Sequence, residues 1–229
     1  FVLGTGKLWV RVPETVRVVF EGEAPRHLMA KDMILALLGT VGVDGATYRA
    51  LEFCGSAVES MNMEERMTLC NMAVEVGAKS GIIETDQTTL DFVRGRTGRM
   101  FDDIKGDPDA RVEATYSFKV ADMAPQVAKP HSPENAVPVT DVEGTRVDRC
   151  YIGSCTGGKT WDFLKAAEIL FGREVKAKTV CVPATVSVVR DLETMRMNGR
   201  TLKDIFESAG AIIGPPSCAA CLGGPPDTF

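Results

Sequence analysis

The spacing of apolar residues changes several times along the chain. From Lys7 to Phe20 (KLWVRVPETVRVVF) apolar and polar residues alternate in sidedness, which predicts two short strands broken at Pro13. From Ala30 to Gly39 (AKDMILALLG) the pattern is that of a short helix with Lys31 and Asp32 in its first turn. Asp44-Gly45 is a turn signal, and a strand is expected in the stretch that ends LEFCG. In MEERMTLCNMAVEVGAKSG, Met67, Leu69, Met72, Ala73 and Val76 recur at helical spacing, with Asn62 as N-cap and Gly77 or Gly81 as the stop. Met61, Met63, Met67 and Met72 read as core packing for that helix. SGIIETDQTTLDFVRGR predicts a strand, a turn holding Asp86 and Thr88, and a second helix.

The segment from 121 to 142 breaks these rhythms. It holds Pro125, Pro130, Pro133 and Pro138 and has little periodicity, so it predicts a linker, with His131 as a linker residue. The organisation that follows is an α/β unit over 1–124, a proline-rich linker over 125–142, and part of a second α/β unit over 143–229. In the second unit VDRCYIG reads as a strand, DFLKAAEIL as a helix, KTVCVPA as a buried-type strand and TLKDIFESAG as a helix. AIIGPPSCAACLGG reads as a strand running into a loop. Strands that alternate with helices indicate α/β architecture with mainly parallel sheets.

At 229 residues the chain is long enough for one large domain or two modest ones. Its net charge of -5, with no basic stripe, argues against broad nucleic-acid binding. The apolar runs are too short to span a bilayer. The first residues, Phe-Val-Leu-Gly, have no initiator Met and no basic start, so the chain is expected to begin inside a longer protein. Seven cysteines make an odd count, unlike a secreted disulfide framework. These features predict a soluble intracellular protein of the cytoplasm or, in a plant or alga, of the plastid stroma. Cys54, Cys70, Cys150 and Cys181 lie in apolar strands or helices and are expected to be buried core thiols.

The remaining three cysteines sit differently. Cys155 occupies a turn, GSCTGG, between a strand and a helix, where Ser154 and Thr156 are candidates to cap the helix or fix the turn. Cys218 and Cys221 form a C-x-x-C pair in GPPSCAACLGGPP, whose prolines and glycines exclude a regular helix. A thioredoxin-like redox pair would normally open a helix. In a parallel sheet, turns at the carboxyl ends of strands gather on one edge, so three sulfurs can converge there. His27 and His131 are remote in sequence. Two chemistries fit such a set: zinc with a further non-cysteine ligand, or an iron–sulfur cluster with one open iron.

Several motifs together are specific. GSCTGG resembles the GSCTNGR signature of the aconitase family, PSCAACLGG resembles its second cysteine signature, and 63 residues separate Cys155 from Cys218. VPETVRV, AKDMILALLGTVGVDGATYRALEFCG and RMTLCNMAVEVGAKSG are similar to other segments of that family, so the resemblance covers nearly the whole chain. Gly157-Gly158-Lys159 departs from Asn-Gly-Arg in the first signature, as in plant and algal members.

The resemblance implies an aconitase-like fold of three-layer α/β/α units. It implies a [4Fe-4S] cluster held by Cys155, Cys218 and Cys221, and a reversible dehydration of a small hydroxy-dicarboxylate. Asn71 and Glu75, at i and i+4 on one helix face, match the family's residues beside the cluster. The family's His and Asp-Ser-His motifs and its NRNF-type segment are not found in this sequence, and its catalytic base lies in a swivelling domain that some members carry as a separate small subunit. The expectation is therefore a second domain plus the start of a third, inactive until joined by the flanking segments and that small-subunit partner. A cluster-free binding relative and a structural zinc domain are the other readings.

Overall fold

The computed structural model describes residues 1–99 and 101–218. The chain opens with a single helical turn, α1 (Val2–Thr5), and reaches its first strand only after Pro13. No strand forms over 7–12. Leu8, Trp9, Val10 and Val12 are all exposed, so neither side of this segment is covered. Alternation specifies a strand where one face is buried and a neighbour completes the ladder, and this segment has neither.

The first sheet contains β1 (Thr15–Glu21), β2 (Ala50–Cys54), β3 (Ser80–Ile82) and β4 (Ala114–Lys119), in the order β3-β2-β1-β4 and parallel throughout. The register sets Val16 beside Leu51 and Ala114, and Val18 beside Phe53 and Tyr116. Phe20 stacks on Phe118 with ring centroids 5.2 Å apart. This face joins α2 (Ala30–Val41), α3 (Ser56–Ser60) and α4 (Met63–Asn71) in one core with Ile34, Leu38 and Leu69. The alternate positions carry an Arg17–Glu52 ion pair and the exposed Thr115, Ser117 and Lys119.

Asn62 caps α4, accepting from the backbone N–H of Glu64 and Glu65, while Glu65 accepts from the N–H of Asn62. The helix predicted to run on to Gly77 is α-helical only to Asn71. Met72–Val76 is a 3-10 turn, closed by Gly77 in the left-handed region at φ 86. In the core packing expected of the methionines, Met61 and Met72 are buried, but Met67 is exposed. Asp86 caps α5 (Gln87–Arg94) and is also the bidentate partner of the buried Arg66. Asp86 thus holds a structure that a bare turn would not need.

The proline-rich segment is ordered. β5 (Gln126–Ala128) and β6 (Ala136–Pro138) form an antiparallel hairpin that packs on α2, and the half-buried Asp32 carboxylate accepts from the N–H of Gln126 at 2.8 Å. Prolines are compatible with a two-stranded hairpin because both strands are edges.

The second sheet, also parallel, has the order β11-β8-β7, built from β7 (Arg149–Gly153), β8 (Lys178–Val182) and β11 (Ile212–Ile213). The turn after β7 is itself a short helix, α6 (Ser154–Gly157), followed by α7 (Thr160–Leu170). Beyond β8 lie α8 (Val186–Thr194), the short pair β9 (Arg196–Met197) and β10 (Arg200–Thr201), and α9 (Leu202–Ser208). Phe163 of α7 meets Phe206 of α9 edge-on at 5.4 Å, inside a second core with Cys181, Leu192 and Ile205. The expectation of four buried thiols needs correction: Cys181 is buried, Cys54 and Cys70 are half-buried, and Cys150 is exposed because β7 is an edge strand. Among the described residues, no helix is long and apolar enough to cross a membrane.

Candidate functional site

The GSCTGG turn is shaped by its backbone. It leaves the carboxyl end of β7 and folds directly against the end of β8. A Cβ at Gly153 would collide with the Val182 carbonyl, and one at Gly158 would lie 2.6 Å from the same oxygen. The carbonyl of Gly158 accepts from the N–H of Ala184 at 2.8 Å, which fastens the turn to the segment after β8. Between these glycines, Ser154 is buried with φ 65. A non-glycine residue in the left-handed region is held there by its surroundings at some cost. The turn therefore presents Cys155 outward, and that residue is exposed.

Cys218 comes to the same edge from the other side of β8. After β11, the N–H of Gly214 donates to the Cys181 carbonyl and that of Ser217 to the Pro183 carbonyl, so the loop is carried across the end of β8. The sulfurs of Cys155 and Cys218 are 3.8 Å apart. Burial pushes the Cys155 thiol up, but hydrogen bonds from Thr156, Cys218, its own backbone and Asn71 outweigh it, and the thiol ends below its ordinary value. Cys181, in the strand beneath, has no such help, and burial pushes it up to about 12. Cys221 lies outside the described residues, and among those described there is no group of three metal-binding side chains.

Asn71 reaches this turn: Thr156 Oγ1 donates to Asn71 Oδ1 at 2.7 Å. Thr156 thus bonds across to α4, and Ser154 supplies the strained corner; neither caps α7, which Lys159 and Asp162 begin instead. Among the described residues no hydrogen bond joins Glu75 to the turn. The 3-10 conformation explains this, since residues three apart eclipse and residues four apart diverge. The α-helical face expected to carry both Asn71 and Glu75 therefore does not exist. Glu75 Oε2 is nonetheless buried without a hydrogen-bond partner among the described residues.

The sequence reading missed the residues that hold the turn against α4. Lys159 is buried, and its Nζ donates to Thr68 Oγ1 and to the Thr156 carbonyl, both at 2.7 Å. The N–H of Trp161 donates to Glu64 Oε2 at 2.6 Å. The signal available was the lysine at the seventh position of the Cys155 signature. A cleft of about 950 Å³ opens between the two sheets' elements, lined among others by Lys31, Ser154, Gly157, Trp161 and Asp162. Neither Cys155 nor Cys218 lines it, so the thiol pair rather than this cleft marks the chemistry.

The family model of the aconitase family (aconitate hydratase) matches residues 1–145 and 140–229. The chain is 49% identical over 235 residues to the chloroplastic 3-isopropylmalate dehydratase large subunit of Arabidopsis thaliana, covering 100% of this chain and 46% of that protein. It is 47% identical over 229 residues to the 3-isopropylmalate dehydratase large subunit 1 of Methanopyrus kandleri, covering 97% and 53%. A probable methanogen homoaconitase large subunit of Methanosarcina mazei is 42% identical over 222 residues, covering 97% and 56%. The chain thus spans about half the length of the curated relatives it matches.

Proposed function

The chain belongs to the aconitase family, and from that premise we propose that it forms the iron–sulfur core of a hydro-lyase that interconverts 2-isopropylmalate and 3-isopropylmalate in leucine biosynthesis. The observation that carries the reading is the meeting of Cys155 and Cys218 sulfurs, 3.8 Å apart, at the carboxyl edge of a parallel sheet. The names of the two most similar relatives described above favour isopropylmalate; a homoaconitase substrate is the alternative, after the Methanosarcina mazei relative.

In this reading Cys155, Cys218 and Cys221 hold a [4Fe-4S] cluster. The donor set fits: two soft sulfurs lie in contact, and the Cys155 thiol is lowered toward the thiolate that a ligand must be. When bound, such a cluster supplies a Lewis-acidic iron toward a substrate hydroxyl and carboxylate. Asn71 fixes the outer edge of the turn through Thr156. Glu75 has a buried carboxylate oxygen with no hydrogen-bond partner among the described residues, and in this reading it assists proton handling at the substrate hydroxyl. The partner is a small, swivel-domain subunit, consistent with relatives named large subunits. Two separate hydrophobic cores support a division into units at 1–124 and 143–229, joined through 125–142. The compartment is the cytoplasm or, in a plant or alga, the plastid stroma, as in the relative named chloroplastic.

Anaerobic incubation with iron and sulfide tests the assignment. The chain is expected to gain the broad visible absorption of a thiolate-ligated cluster. Cys155→Ser, Cys218→Ser and Cys221→Ser each lose it, while Cys54→Ser keeps it. Full absorption in the three ligand variants would overturn the reading.

A further inference from the structure

We infer that Lys159 is a positioning residue that latches the Cys155 turn of the second unit to α4 of the first and sets a fixed positive charge beside the cysteine site. The inference rests on the reading that Cys155 ligates a cluster, and it adds a residue outside the ligand set. Lys159 is only 8% exposed, which is rare for a lysine unless its ammonium is satisfied. Here it is satisfied in two directions. One hydrogen bond goes to Thr68 Oγ1 on α4, the other to the carbonyl of Thr156, the residue next to Cys155. Thr68 Oγ1 is itself 3.1 Å from the Glu64 carbonyl and 3.3 Å from that of Thr156, either of which it can reach as donor.

The side chain thus bridges two elements that share no core. Other links across this junction include the Thr156–Asn71 and Trp161–Glu64 hydrogen bonds and the one from Thr68 Oγ1 to the Thr156 carbonyl. Lys159 brings a buried cation into it, near the Asp162 and Glu64 carboxylates. Burial lowers its ammonium from the ordinary value, while Asp162, Glu64 and Cys155 act against that loss and Lys31 adds to it. A cation fixed in such a junction favours negative charge on the sulfur site and so favours the reduced state of a bound cluster. Its reach to two acceptors also keeps residues 154–158 from swinging off α4.

The test compares Lys159→Met, Lys159→Arg and Thr68→Val with the unaltered chain, using two measurements. The first is the reduction midpoint of the iron- and sulfide-reconstituted protein; the second is backbone amide exchange of residues 154–158 in the metal-free protein, with β8 as the folding control. Lys159→Met is expected to shift the reduced-to-oxidised ratio about tenfold toward oxidised, or about 59 mV for one electron, and to speed exchange in the turn. Lys159→Arg restores both. Thr68→Val keeps the charge, so its midpoint stays within about twofold in that ratio while its turn exchanges faster. A folded Lys159→Met with either an unmoved midpoint or unmoved turn exchange overturns the inference. If β8 loses protection in Lys159→Met, Thr68→Val decides, and unchanged exchange there overturns it. Failure of the unaltered chain to take up iron and sulfide overturns the cluster reading instead, and amide exchange then judges the latch alone.

Discussion

In the first sheet β1 is flanked on both sides, and the core on it gathers residues from Val16 to Val120; in the second sheet, among the described residues, β8 alone is central, and β7 is an edge strand with Arg149 and Cys150 exposed. The two sheets share parallel topology but spend their carboxyl ends differently. At the first, β1 and β2 run into Gly22 and Gly55, with Ser56 hydrogen-bonded to Glu21. At the second, a strained turn and a loop bring two thiols to the surface. Cys155 and Cys181, on the turn after β7 and on β8 beneath it, show the consequence. One thiol is lowered by hydrogen bonds at an exposed turn; the other is raised to about 12 by burial in a continuous apolar strand. Chemistry appears where the backbone projects the side chain out of the sheet, and the same residue type within the sheet is packing.

The sharpest break of that comparison is thiol reactivity. In the metal-free chain at mild alkaline pH, iodoacetamide is expected to modify Cys155 far faster than Cys181, since hydrogen bonds lower the exposed Cys155 thiol while burial raises that of Cys181 to about 12. Mass spectrometry of timed samples measures this; comparable rates would erase the distinction.

Next is the independence of the smaller core. Phe206→Ala removes a fully buried ring that meets Phe163, and the expected loss is about 3–5 kcal/mol. Amide exchange should report that loss in β8 and α9 while β1 and β2 stay protected. Equal loss of protection in both sheets would show one cooperative body.

The Arg66–Asp86 pair probes the elements around the first sheet. Arg66 is 3% exposed and Asp86 39%. Asp86→Asn leaves a buried guanidinium without its counter-ion, with an expected cost of about 2–3 kcal/mol, less than for a fully buried pair because Asp86 faces water. The Arg66 guanidinium holds the Asp86 carboxyl down at about 2, against an ordinary 3.8. A group lowered in the folded state adds stability that is complete above its unfolded value and is lost as pH falls. The pair's contribution should therefore fade between about pH 4 and pH 2, and Asp86→Asn should remove that pH dependence from urea midpoints.

The smallest expected effect is at the start of α4. Asn62→Ala removes the cap and is expected to cost about 1 kcal/mol in the same urea measurement.

Much of the site was legible because it depends on local chain logic. A Gly-rich turn after an apolar strand, and a Pro-bounded C-x-x-C after another, lie at one sheet edge in any parallel α/β arrangement, and Cys155 and Cys218 do meet there. What failed depended on context. The alternating 7–12 segment has no covered face, so its pattern produced no strand. β4 escaped notice because Ala114, Tyr116 and Phe118 alternate with exposed polar residues in a short run after an acidic, Gly- and Pro-containing stretch. α8 also went unassigned, although Thr185 caps it and Val188 and Leu192 face the core. The turn from α- to 3-10 geometry at Met72 follows from how Val76 and Gly77 dock on Ala46 and Tyr48, contacts that a helical period does not encode. Lys159 was visible only as a departure from a signature; its partner Thr68, 91 residues away, was not.

In the proposed function a site of three cysteines holds an iron–sulfur cluster with one iron open to substrate. Mössbauer spectra of the chain reconstituted with iron-57 and sulfide, taken before and after adding 3-isopropylmalate, test it most directly. One iron environment is expected to change while the rest stay as they were. Identical spectra before and after, or zinc without acid-labile sulfide in the purified protein, would contradict it.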